Sequence, residues 1–293
     1  MKNNKFFKSN DGKDEHYINI ERLKHIAKTG NYDEPKKSGI NWTDQAWNPW
    51  VGCRKVSAAC LNCYLPRFLE NAYGYVRRTK DNTWLKPYII KLPSLIFVCN
   101  LSDFFIEEGD KWRKYAWKII KDNPQHTFQI LTKRPERIKD HLPDDWGATG
   151  YNNVWLGVTV EDDTKKAMKR LDDLRRIPAK IRFVSVEPIY KEFNFNKEQV
   201  DGFDWFILGG ESGKTYENIR YCKPAWIQRL AKRLKSYNKF VWIKQLGTEV
   251  ALKYDFKSNH GEDWDEFPKQ SLKLREFPLE GFEVRNIKPH RRK

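Results

Sequence analysis

The chain has 293 residues, with 55 lysines and arginines against 39 acids, a formal charge of +16 and a pI near 9.5. That length buries a substantial core in one large domain or two small ones, so five cysteines, an odd count, argue against a disulfide framework, and the lack of any apolar run of eighteen residues argues against a membrane-spanning helix. A cationic surplus of this size favours a polyanionic partner, because each phosphate neutralised releases counterions.

Residues 1–38 are charged and lack clear periodicity, and read as a basic arm that is flexible or weakly helical. The opening MKNNKFFKSNDGKDEHYINIERLK has no apolar segment of the kind a signal peptide needs, so a cytoplasmic location is expected. The first plausible strand region is Trp47–Val51. It leads into CRKVSAACLNCY (Cys53–Tyr64), and Pro66–Val76 after it reads as helix-like. Six apolar runs follow: LIFVCNLSD (95–103), TFQILTKR (127–134), NVWLGVTVED (153–162), IRFVSVEPI (181–189), DWFILGGES (204–212) and KFVWIKQLG (239–247). Each holds four to seven apolar or β-branched residues bounded by polar ones, the pattern of a buried strand. Between them Gly109–Asp122, Asp162–Arg176 and Pro224–Lys235 place apolar residues at helical spacing.

Near-continuous apolar strands alternating with helices predict a parallel sheet covered on both faces. The expected fold is α/β, a complete or partial (β/α) TIM-like barrel with parallel strands over residues 39–247. A C-terminal extension occupies 248–293, in which SNHGEDWDEFP reads as a loop, KLREFP as a short strand and KPHRRK as a disordered basic end.

The strands finish in Ser102-Asp103, Thr132-Lys133-Arg134, Thr159-Val160-Glu161, Ser185-Val186-Glu187, Gly209-Gly210-Glu211-Ser212 and Lys244-Gln245. Ligands of parallel α/β folds bind at the carboxyl ends of strands, so these groups are expected to share one mouth. Glu161, Glu187 and Glu211 are candidates for acid–base or metal work. Lys133, Arg134 and Lys244 suit a phosphate or a cofactor carboxylate, or else pairing with those glutamates. Ser102, Asp103, Asp162 and Ser212 are equally placed to cap helices.

Three of the five cysteines, Cys53, Cys60 and Cys63, lie within eleven residues as C-x6-C-x2-C. A structural zinc takes four protein ligands, commonly from paired C-x2-C units, and here there is one such pair, one further cysteine and no nearby histidine. Cys99, inside an apolar strand, reads as a buried hydrophobe, and Cys222 is uncommitted. A 4Fe-4S cluster accepts one thiolate per iron. Three thiolates leave one iron open to S-adenosylmethionine, whose reductive cleavage gives a 5′-deoxyadenosyl radical; an external electron donor is then required. The usual spacing in such enzymes is C-x3-C-x2-C, and the first gap here is longer.

NWTDQAWNPWVGCRKVSAACLNCY (41–64) resembles the opening signature of the bacteriophage gene-product thirty-seven/sixty-eight family, a three-Cys-motif phage protein group of unknown function. LTKRPERI, WLGVTVED, RFVSVEPI, ILGGESG, WIKQLG and EDWDEFPKQSLKLREFP are similar to its later landmarks, and the likeness runs from about 39 to 278. The resemblance implies a barrel of the radical-SAM type, distantly similar to spore photoproduct lyase, which acts on DNA, with Cys53, Cys60 and Cys63 as cluster ligands. Radical-SAM enzymes often carry a Gly-Gly-Glu-like segment that contacts the methionine amine. Gly209-Gly210-Glu211 matches its letters but lies late in the chain rather than after the second strand. Ser185, Gly209, Gly210 and Glu211 are thus candidate cofactor contacts, and Tyr64 is placed to pack near the adenine.

The leading expectation is an iron–sulfur enzyme that cleaves S-adenosylmethionine to modify or repair a nucleic acid or nucleotide. Two alternatives stand beside it. One is a metal-dependent hydrolase or nuclease using Glu161, Glu187 and Glu211, with the cysteines on a structural zinc; only six histidines and no H-E-x-x-H run weigh against it. The other is a non-catalytic metal-containing nucleic-acid-binding protein, against which the many polar strand ends weigh.

Overall fold

The six apolar runs fold as strands side by side, and a shorter seventh joins them at one edge. The computed structural model describes residues 20–30, 35–69, 71–213 and 219–281. Its strands are β1 Gln45–Trp47, β2 Trp50–Val51, β3 Arg77–Arg78, β4 Leu95–Val98, β5 Thr127–Thr132, β6 Val154–Thr159, β7 Ile181–Ile189, β8 Trp205–Gly210 and β9 Phe240–Gln245. Seven of them form one sheet in the order β1-β4-β5-β6-β7-β8-β9, and every pairing is parallel. The sheet curls into a half-barrel, a partial α/β barrel. It does not close: β1 and β9 are its two edges, so the expectation of a complete barrel is set aside. β2 and β3 make a separate antiparallel pair above the sheet's first strand.

The helices are α1 Ile20–Thr29, α2 Asp81–Trp84, α3 Lys86–Ile89, α4 Asp110–Asp122, α5 Lys165–Arg175, α6 Lys197–Val200, α7 Pro224–Ser236 and α8 Thr248–Lys253. α4 buries Trp112, Ala116, Ile119 and Ile120, an i, i+4, i+7, i+8 stripe. α7 opens with Pro224, whose missing N–H costs nothing in a first turn, and buries Ile227, Leu230, Ala231 and Leu234. Thr164 caps α5, its hydroxyl accepting the Ala167 amide at 3.3 Å. Asp162 instead accepts the amide and hydroxyl of Thr164 and the hydroxyl of Tyr190.

The two faces of the sheet bury different side chains. The outer face, with Ile96, Ile130, Val158, Val184 and Leu208 among others, packs under the helices. The inner face fills the half-barrel with aromatics: Phe97, Trp155, Phe183, Trp205 and Trp242 surround Trp42, whose ring centroid lies 4.6 Å from that of Phe97. Alternation of side chains along each strand separates the two sets. Gly157 is forced by this packing, because a β-carbon there would overlap the Phe183 ring. Fully burying a side chain such as Phe183 stabilises by about 1.5–3 kcal/mol, so the plug dominates the inner layer. Asn41 fastens it, accepting from Trp242 Nε1 at 3.0 Å and donating to the Lys244 carbonyl at 2.8 Å, and so spans from the segment before β1 to β9. The amino-terminal end of the half-barrel is thereby filled, and the carboxyl end is left polar.

Two expectations change, and one pair of alternatives is decided. Of the two readings of the arm, flexible or weakly helical, Ile20–Thr29 takes the helical one: its Ala27 packs on the core and its Lys24 lies 2.8 Å from Asp122 of α4. Residues 1–19 and 31–34 of that arm, and the KPHRRK end, lie outside the described residues. Pro66–Val76 is not a helix: Leu65–Arg67 makes one 3-10 turn, and Asn71 and Gly74, both at positive φ, turn the chain back to β3. KLREFP forms a single bridge between Arg275 and Trp242 instead of a strand, with Ile243 N donating to Leu274 O at 2.8 Å and Glu276 N to Val241 O at 3.1 Å. The extension is also tied to the end of β9 by Leu246 N to Gly261 O at 2.8 Å and Gly247 N to His260 O at 2.9 Å.

Candidate active site at the strand ends

The cysteine loop is built between β2 and β3 and is bolted to the carboxyl end of β4. Asn48 donates to Asn100 Oδ1 at 2.6 Å and accepts the Leu101 amide at 2.9 Å. Gly52 N donates to Leu101 O at 3.0 Å, and the Ser102 hydroxyl donates to Gly52 O at 2.6 Å. Gly52 has φ +95°, and a β-carbon there would overlap the Tyr75 carbonyl, so only glycine lets the two legs of the loop pass. Cys53 N then donates to Ala72 O at 2.9 Å.

A buried ion pair locks this loop to the next strand. The Asp103 carboxylate accepts from Phe105 N at 2.9 Å, the Thr132 hydroxyl at 2.7 Å, Lys133 N at 3.0 Å and Arg134 Nη1 at 3.0 Å. Arg134 Nη2 donates on to the Arg54 carbonyl at 3.0 Å, inside the cysteine loop. Four hydrogen bonds on one carboxylate satisfy a charge that burial would otherwise penalise. Asp103 is thus a hub rather than a helix cap.

All three loop cysteines are free and half-buried. Burial, and then the charge of Asp103, push the Cys53 thiol up to about 11 despite the nearby Arg134. Burial would raise Cys60 as well, but Lys133, the Val56 and Ser57 peptide groups and the Ser57 hydroxyl outweigh it and hold that thiol below its ordinary value. The Tyr73 phenol lies among the three sulfurs; burial, then a hydrogen bond to Cys63 and the charges of Cys63, Cys60 and Cys53, push it up. Three unpaired thiols in one loop are soft donors, of the kind that iron and zinc both accept. Among the described residues, no three His, Cys, Asp or Glu side chains converge on a metal-ligating point.

Below the loop, β7, β8 and β9 supply one polar constellation. Glu187 Oε1 meets Lys244 Nζ at 2.8 Å, and Ser185 donates to Glu187 Oε2 at 3.2 Å. These residues flank β8, and Gly209 at the same level makes way for the pair: a β-carbon there would sit 2.6 Å from Glu187 Oε1. Tyr64 links this floor to the loop. Two-fifths of its surface is exposed, but its hydroxyl donates to the Asn100 carbonyl. Burial of that end, and then Cys63, Glu187 and Cys53, push its phenol up. Cys53, Cys60, Cys63, Tyr64, Lys133, Ser185, Glu187, Gly209 and Lys244 therefore occupy one neighbourhood.

Glu161 and Glu211 do not join it as free carboxylates. Glu161 is buried against Arg170 of α5 at 2.6 Å, and Arg170 also holds the Thr159 carbonyl at 2.8 Å. Glu211 accepts Arg220 Nη2 at 2.6 Å, Nε at 3.0 Å and the Arg220 amide at 2.7 Å. Gly210 has its own reason to be glycine, since a β-carbon would overlap the Leu246 carbonyl. Each residue of Gly209-Gly210-Glu211 thus has an internal partner, and the three glutamates form no shared metal site. Of the strand-end cations, Lys244 and Arg134 are in ion pairs, whereas the charge of Lys133 acts on Cys60 and lowers its thiol.

Sequence reasoning passed over Tyr73, Asn100 and Gly52, and it offered Arg134 a phosphate, a cofactor carboxylate or one of the three glutamates as partner, whereas the partner is Asp103. The available signal was the pairing of a polar strand end, Ser102-Asp103, with the Thr132-Lys133-Arg134 end of the following strand.

Residues 37–270 match a family model described as a protein of unknown function (DUF5131). The chain belongs to that family. The span takes in the cysteine loop and every strand of the sheet. No curated protein and no solved structure matches the chain. No helix of the described residues is long and apolar enough to cross a membrane.

Proposed function

We propose that the chain is a radical-SAM-like iron–sulfur enzyme in which Cys53, Cys60 and Cys63 hold a 4Fe-4S cluster and S-adenosylmethionine is used to modify or repair a nucleic acid or nucleotide. The observation that supports this most is one of place. Three free thiols share a loop after the first strand of a partial barrel, and the Asp103–Arg134 hub fixes that loop over the carboxyl ends of the strands. When bound, cluster and cofactor supply one-electron reductive cleavage and a hydrogen-abstracting radical, with the electron delivered by an external donor.

This chain's residues have separate tasks in that reading. Lys133 favours the thiolate of Cys60 and offers a point charge to a ligand carboxylate or phosphate. Glu187, held by Lys244 and Ser185, can accept from an ammonium or hydroxyl of a bound ligand. Tyr64 presents a ring beside the thiols on which an adenine can pack. The radical-SAM type of the barrel, the kinship with the phage family and a reducing cytoplasmic setting belong to the same proposal.

The test is anaerobic reconstitution with iron and sulfide, followed by chromatographic assay of 5′-deoxyadenosine in the presence of dithionite and S-adenosylmethionine. Cys53→Ala, Cys60→Ala and Cys63→Ala are each expected to lose iron and 5′-deoxyadenosine together, while Cys99→Ala keeps both. Full iron retention in any of the first three contradicts the assignment.

A further inference from the structure

The loop that carries the thiols has an outward face unlike the rest of the surface. Of the seven exposed large apolar side chains among the described residues, four fall within residues 61–75: Leu61 at 69%, Phe68 at 64%, Tyr75 at 59% and Tyr64 at 40% exposure. The rings of Tyr64 and Phe68 meet edge to face at 6.0 Å. Single exposed apolar residues are ordinary on a protein surface, but four within one short loop, two of them in ring contact, mark a site of interaction.

The frame around these rings is cationic. Residues 53–80 contain six lysines and arginines and one acid. Arg54, Lys55, Arg77 and Lys80 are exposed, and the Lys55 ammonium lies 4.6 Å above the Tyr73 ring. Arg54 shares its charge with Glu108. Flat rings in a basic frame suit a polyanion that offers flat faces. Unpaired bases do so, and their stacking on aromatic side chains is tolerant of sequence. In a duplex the bases already stack on one another, so rings of this kind would gain nothing from it beyond phosphate contact.

We propose that the outer face of residues 53–80 binds single-stranded nucleic acid, with Phe68 and Tyr75 stacking on bases and Arg77, Lys80 and Lys55 neutralising phosphates. As the path by which a substrate nucleotide reaches the mouth, this rests on the function proposed above. As a binding face it rests on exposure and charge alone.

The experiment is fluorescence anisotropy of the full chain with a labelled 15-nucleotide strand, alone and annealed to its complement, across a salt series. Phe68→Ala/Tyr75→Ala is expected to weaken strand binding about ten-fold or more. Arg77→Gln/Lys80→Gln is expected to lower the slope of log K against log salt by roughly 1.4, the effect of two lost phosphate contacts. Equal or tighter binding of the duplex, or unchanged strand binding by the aromatic variant, overturns the proposal. So does the finding that an acidic electron-transfer protein such as a flavodoxin needs these residues while the strand does not. Iron content and 5′-deoxyadenosine formation without nucleic acid are measured on the same variants. Lost strand binding with both retained supports the face as proposed. A chain that holds no iron yet binds strands through these residues removes the enzyme reading and leaves the binding face standing.

Discussion

Arg134→Met isolates the contact that fixes the cysteine loop. Arg134 and Asp103 side chains are 9% and 7% exposed, and Nη1 lies 3.0 Å from Oδ2. Removing one partner of a buried pair leaves the other charge uncompensated and costs roughly 3–5 kcal/mol. Asp103 would keep three of its four donors, the Thr132 hydroxyl and the Phe105 and Lys133 amides, which places the loss at the lower end, about 3 kcal/mol. Against a usual total of about 5–15 kcal/mol the variant stays folded, and its urea midpoint falls. Asp103→Asn and Arg134→Met combined should cost less than the sum of the two by about 2 kcal/mol, because neither charge is then left alone. The Arg54 carbonyl also loses its donor, so the loop is freed at its start and reconstituted iron should fall. Stability within about 1 kcal/mol of the parent, or simple additivity of the two changes, would refute this account of the hub.

Other expectations follow from single contacts. Gly157→Ala drives a β-carbon into the wholly buried Phe183 ring and should lose about 1–3 kcal/mol in urea unfolding. In Gly209→Ala the obstacle is the mobile end of Glu187, so stability should change by less than about 1 kcal/mol while the Glu187–Lys244 contact opens and activity falls; equal stability losses in the two variants would sink the distinction. Burial would raise the Asp162 carboxyl, but hydrogen bonds from Thr164 and Tyr190 and the charge of Lys191 hold it below its usual value. Its depressed value means a contribution fully present above about pH 4 and lost as the pH falls through the folded value. Unfolding between pH 6 and about pH 3 should therefore be less steeply acid-sensitive in Asp162→Asn than in the parent, and identical slopes would exclude the mechanism. In metal-free protein, iodoacetamide should modify Cys60 first. Cys53, with its thiol at about 11, is only about one part in a thousand thiolate at pH 8; peptide mapping by mass spectrometry that finds Cys53 reacting as fast as Cys60 would contradict the electrostatics of the loop.

The parts of the fold legible in the sequence are those whose local pattern and tertiary fate agree. Strands buried on both faces are written as near-continuous apolar runs, and β4 to β9 each fall inside one. α4, α5 and α7 carry their burial as periodicity. What could not be read is what distant bonds decide. β2 and β3 are two residues each and exist only because Trp50 and Val51 pair with Arg78 and Arg77 across the loop. Pro66–Val76 has helix-like composition, but positive φ at Asn71 and Gly74 and the bridge from Cys53 to Tyr73 override it. The glutamates show the same limit at the site. Sequence placed Glu161, Glu187 and Glu211 at three strand ends, and all three are there. Their cations, Arg170 and Arg220 nine residues on and Lys244 from a different strand, divide them into separate pairs.

The most direct test of the central proposal is electron paramagnetic resonance of anaerobically reconstituted, dithionite-reduced protein, recorded before and after adding S-adenosylmethionine. A reduced 4Fe-4S signal that changes on adding the cofactor is the expected result, since it reports an iron left open by three thiolates. Absence of any cluster signal, with stoichiometric zinc by elemental analysis, would contradict it.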